Sequence, residues 1–95
     1  MKLSAAAAAR TAGVDVDHPG VLQVGKIHAD LAYVLVRTPG VAWPIHEVIL
    51  VKITDHAGRA TKRSHKAYGG GHGLRRARGE IAKLRRGEVT VSEGT

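Results

Sequence analysis

The chain has no cysteine, no phenylalanine and only three prolines in 95 residues. Without thiols there can be no disulfide framework, no thiolate zinc site and no cysteine nucleophile, which fits a reducing compartment. Aromatic rings are equally scarce: Trp43, Tyr33 and Tyr68 are the only Trp and Tyr residues. The core must therefore be built from Val, Leu, Ile and Ala. No stretch approaches the roughly 20 apolar residues needed to cross a bilayer. The length allows one small domain spanning residues 1–95 with a modest core. Acid is missing from one region in particular. Between residues 59 and 86 there is a single carboxylate, Glu80.

That same region holds most of the positive charge. Arg59, Lys62, Arg63, Lys66, Arg75, Arg76, Arg78, Lys83, Arg85 and Arg86 all lie within it, while residues 1–58 balance five basic side chains against five acidic ones. The formal charge of +7 thus belongs to the last third of the chain. A one-sided charge attracts polyanions, nucleic acid above all, with an acidic protein surface as the alternative. We expect these ten side chains to form a phosphate-backbone contact. A face meant only for solubility mixes its signs. No membrane contact and no small-molecule substrate is indicated.

Residues 1–20 read as an N-terminal helix and connector. Ser4 is a suitable N-cap, five alanines follow, and Gly13 is a suitable stop, which predicts a helix over 4–12. The apolar run is too short for a secretion signal and ends at Arg10. Residues 21–37 are ambiguous. Val24, Ile27, Leu31 and Val34/Leu35 follow helical spacing, whereas Leu31–Val36 would suit a buried strand; the spacing favours a helix. Thr38-Pro39-Gly40 is a break. Residues 45–54 read as a strand rich in β-branched side chains, Asp55–Gly58 as a hairpin turn, and residues 59–68 as a half-exposed or edge strand. Two strands make a weak sheet, so a third is expected from 33–37, from 89–92 or from a partner. Gly69–Gly73 reads as a flexible joint. Leu74, Ala77, Ile81 and Leu84 form one stripe of an amphipathic helix over 74–86, with Gly87 as its stop and the basic residues opposite. Residues 88–95 form a short polar tail. The class is α+β: short N-terminal helices, a β-hairpin and a basic C-terminal helix.

Catalytic and metal motifs fail one by one. Gly20–Ile27 nearly spells a phosphate-binding P-loop, but Ile27 cannot supply the hydroxyl that holds magnesium. His46-Glu47 starts a helical zinc-protease motif whose second histidine would stand where Leu50 stands. The histidines His18, His28, His46, His56, His65 and His72 show no ligand spacing, so no metal and no cofactor is expected. His65 and His72 lie within the basic region, where they could add charge below about pH 6.5. Tyr68 could stack on a base.

Two resemblances follow from these elements. From Trp43 to Leu84, the order strand, turn, strand, Gly-rich loop and basic helix resembles the last two-thirds of a double-stranded-RNA-binding-type fold. That resemblance implies phosphate contacts from Arg75, Arg76 and Arg78. Small mRNA-cleaving toxins share the fold, but their Gly-Ser-His element has no match here. The segments Asp17–Val21, His28–Ala32, Thr54–Ala60 and Gly73–Gly79 resemble small neck or tail-completion proteins (head–tail connectors) of tailed phages. This implies a compact α+β module in a ring between head and tail, and no functional residue.

The leading expectation is a non-enzymatic structural or adaptor subunit of a nucleic-acid-containing assembly, such as a phage virion, contacting other protein subunits. The alternative is a free nucleic-acid-binding module or regulator, including a phage inhibitor of host defence. Third is an mRNA-cleaving toxin using His65 or His72 as general acid/base. The location is virion or cytoplasm.

Overall fold

A computed structural model describes residues 4–54 and 59–88. The elements run α1 (Ala5–Thr11), β1 (Val21–His28), β2 (Leu31–Thr38), β3 (Ile45–Ile53), β4 (Ala60–Tyr68) and α2 (Gly73–Arg85). The strands form one antiparallel meander in the order β1-β2-β3-β4, with α1 on one face and α2 on the other. The class is α+β, as the sequence indicates.

The helix expected over 21–37 is not there; that segment is the hairpin β1–β2. Helical spacing arose because β2 sits at the centre of a three-layer structure and needs apolar residues on both faces. Leu31, Tyr33 and Leu35 face α2, while Ala32 and Val34 face α1, and all five are buried. A run buried on both faces loses the alternation that marks a strand, leaving its β-branched content as the remaining signal. Lys26 Nζ donates to the Ala29 carbonyl (3.0 Å), and the Asp30 amide donates to His28 Nδ1 (3.2 Å), fixing the tight turn between the strands. Gly25 pairs directly with Tyr33, and a Cβ on it would lie 2.8 Å from the Tyr33 hydroxyl. This close approach explains a glycine in mid-strand.

The other elements fall close to expectation. Ser4 caps α1 by accepting from the Ala7 amide (3.2 Å), and Gly13 leaves the helix at φ +91°. Ala8 and Ala9 carry no bulk, so α1 lies directly on Val34, Val51 and Ile53. On the opposite face Ala77, Ile81 and Leu84 of α2 bury against Leu31, Tyr33, Leu35, Val48 and Leu50. Fully burying each Leu, Ile or Val among them contributes about 1.5–3 kcal/mol. The third strand expected from 33–37 is part of β2, and β4 is an edge strand. The turn at 55–58 and residues 89–95, including the possible strand 89–92, lie outside the described residues. Among the described residues no helix is long and apolar enough to cross a membrane.

Candidate nucleic-acid interface

The basic residues do not form one stripe. Cross-strand pairing sorts those of β4 by face. Lys66 pairs with Val48 and Arg63 with Leu50, on the α2 side, whereas Lys62 pairs with Val51, on the α1 side. Arg59 stands just before β4, its carbonyl accepting from the Thr54 amide at 2.9 Å. On α2 the cations divide between two flanks. Arg76 and Lys83 lie toward β4, with Arg75 beside them. Arg78 lies on the other flank and, with Arg37, is close enough to act on the charge of His46. Arg85 is exposed but engaged within the domain: its guanidinium donates to the Tyr33 hydroxyl (3.1 Å) and the Lys26 carbonyl (3.2 Å), and covers the Tyr33 ring at 5.1 Å. Arg86 is paired with Glu88.

Of the ten expected contact residues, the structure therefore gathers four, Lys66, Arg75, Arg76 and Lys83, around a single cleft. Tyr68, His72, Gly79 and Glu80 complete its wall, and its volume is about 560 Å³. The cleft lies between the edge strand β4 and α2. Gly79, which costs helix stability, leaves its floor open: a Cβ there would meet nothing within 4 Å. Gly73 plays a different part from the flexible joint expected of its loop. It is buried, and a Cβ on it would come within 2.7 Å of the Tyr68 carbonyl and 3.0 Å of His46 Nδ1. Only glycine lets α2 start this close to the sheet.

A bulge in β4 builds the cleft's inner wall. Val48 pairs with Lys66 and the next residue, Ile49, pairs with Ser64, leaving His65 as the extra residue. Bulges re-aim side chains. Here His65 Nε2 reaches Glu80 Oε2 at 2.7 Å, with the side chains only 11% and 5% exposed. Lys66 Nζ lies 3.6 Å from the same oxygen. Burial alone pushes the Glu80 carboxyl up; the His65 hydrogen bond and the charges of Lys66, His65 and Lys83 outweigh it and hold the group below its ordinary range. Glu80 is thus a carboxylate at neutral pH. Tyr68 moves the opposite way, raised by burial and by the Glu80 charge and hydrogen bond, against a smaller pull from Arg76. It remains a neutral phenol, with the Arg76 guanidinium over its ring at 4.9 Å. His46 is held neutral by burial and by Arg37 and Arg78, so it adds no charge.

Chemically this is a cationic trough with a neutral aromatic wall and one buried anion already engaged by His65 and Lys66. Glu80, His65 and the Tyr68–Arg76 pair are the contributions that charge counting misses. The sequence carried one hint, since Glu80 falls at the margin of the apolar stripe of α2. Among the described residues, no group of three or more His, Cys, Asp or Glu side chains is placed to hold a metal ion.

No protein-family model, curated protein or solved structure matches the chain. The resemblances to phage neck proteins and to double-stranded-RNA-binding folds rest on the residues quoted for them.

Proposed function

We propose that this protein is a non-enzymatic nucleic-acid-binding module that holds a phosphate backbone in the cleft between β4 and α2. The observation that carries this reading is the convergence of Lys66, Arg75, Arg76 and Lys83 on one trough whose only carboxylate among the described residues is already engaged. Four cations with one committed counter-charge leave an excess that phosphate oxygens complement. His65, held on Glu80, serves as a strut for the trough wall. The test is a titration of the purified protein with labelled oligonucleotides at about 50 and about 300 mM salt. Binding at low salt that is lost at high salt supports the reading; a salt-insensitive interaction, or none, overturns it.

A second reading, a structural or adaptor subunit of a nucleic-acid-containing particle such as a phage virion, is favoured by a different observation. Leu22 on β1, Val41 in the β2–β3 loop and Ile45 at the start of β3 are 42%, 110% and 40% exposed, and among the described residues β1 is an edge strand. Exposed apolar side chains and an edge strand both suit contact with another subunit. Light scattering separates the two readings. A ring-sized oligomer indifferent to nucleic acid favours the subunit, and a monomer that gains mass only with nucleic acid favours the module.

A further inference from the structure

Trp43 lies in the loop between β2 and β3 and is 58% exposed, although it is the chain's only tryptophan. Tryptophan is highly buried on average, so an indole this open is a candidate contact surface. Its ring leans over the Gly-rich loop: a Cβ built on Gly71 would lie 3.6 Å from Trp43 Cζ3. The next residue, His72, lines the basic cleft. Trp43 also lines a second hollow of about 530 Å³, with His18, Arg37 and Pro39 among its walls. The indole therefore lines one hollow and packs beside Gly71, whose chain neighbour His72 lines the other.

We infer that this strip is a binding track for single-stranded nucleic acid, in which Trp43 stacks on an unpaired base while the cleft holds the adjoining phosphates. The inference rests on the proposed function and names the ligand class of the same site. Two features point to a single strand and not a duplex. An indole can cover a base face only where that face is free, and in a duplex it is buried against the neighbouring pair. A second flat surface, the Arg76 guanidinium stacked on Tyr68, lies beyond His72 and also suits a splayed base. α2 begins with no acidic residue in its first turn and no side-chain cap, and although the Gly73 amide donates to the Gly70 carbonyl (3.3 Å), this end favours an anion, whether the strand is single or paired. Gly69–Gly71 supply no side chains to obstruct the path.

The single tryptophan makes the test direct. The full chain is titrated at about 50 mM salt with an oligonucleotide of about twelve residues and with its duplex, following intrinsic fluorescence and the anisotropy of a labelled strand. The single strand is expected to quench the Trp43 emission and to bind more tightly than the duplex. Trp43→Ala is expected to weaken single-strand binding about 10-fold or more and duplex binding less than about two-fold, and Trp43→Phe to restore most of the loss. An unchanged thermal midpoint in Trp43→Ala shows that the exposed ring was not holding the fold. Equal affinity for both forms, or unmoved emission during otherwise normal binding, overturns the single-strand assignment and leaves the proposed function standing. Absence of binding to either form overturns both.

Discussion

Replacing Glu80 with Gln keeps the side chain's shape and removes its charge, so it asks what the buried carboxylate contributes. Two effects oppose each other. Burial penalises the charged form, while the His65 hydrogen bond and the charges of Lys66, His65 and Lys83 favour it; the partners win, because the group is held below its ordinary range. A hydrogen bond to a charged group contributes about 1.5–3 kcal/mol and a neutral one about 0.5–1.5 kcal/mol. The variant should therefore lose about 1–2 kcal/mol at pH 7, a fall of roughly 4–16 °C in Tm for a domain of this size. The pH dependence has a definite sign. A depressed folded-state value means that the contribution is complete above the unfolded carboxyl's value of about 4.3 and disappears as pH falls through the folded one. Melting curves of wild type and Glu80→Gln, recorded by circular dichroism from pH 7 downward, should converge in acid. Binding should move the other way. Removing a negative charge from the trough should raise affinity for nucleic acid even as stability drops. Equal melting temperatures at pH 7, a gap that persists in acid, or weaker nucleic-acid binding would each refute the account of Glu80 given above.

Other substitutions separate binding from folding. Arg75→Glu with Arg76→Glu should reduce oligonucleotide affinity at least about 10-fold and flatten the plot of log affinity against log salt by roughly two contacts, whereas Arg78→Ala, on the other flank of α2, should change affinity less than about two-fold. Arg85→Ala should leave affinity intact and cost about 1–2 kcal/mol in urea unfolding, since it removes the bonds to Tyr33 and Lys26. Gly79→Ala should raise stability by about 1 kcal/mol, because a Cβ there meets nothing in a helix interior. Gly73→Ala should lower it by about 1–3 kcal/mol, because its Cβ would strike the Tyr68 carbonyl.

Local signals succeeded wherever one face of an element was wet. The stripe of Leu74, Ala77, Ile81 and Leu84 contrasts with charges, so its period is visible, and the structure places α2 within one residue of the expected range. The Ser4 cap and the Gly13 and Gly87 stops are chemical requirements of helix ends and were equally legible. The hairpin β1–β2 was hidden for the opposite reason. Val34 and Leu35 point to different layers, and both layers are apolar, so no alternation survived to contradict an accidental 3.6-residue period. Gly25 was the overlooked clue. It is poor in a helix, yet it is required where a strand passes over the Tyr33 ring.

Charge was legible as a quantity and not as a place. Counting gives ten cations near the C-terminus, but a strand sends neighbours to opposite faces and a helix flank diverts others inward. Arg85 shows the second effect most clearly, because its side chain, though still exposed, is tied to Tyr33 and a carbonyl of β1. The bulge at His65 shows how a single unpaired residue reorganises the rest. Without it, strict alternation would send His65 to the side opposite Lys66; with it, both reach the same Glu80 oxygen and brace β4 against α2. The one acid that charge counting treats as an interruption is, on this reading, the residue that lets the cations share a cleft without forcing its walls apart.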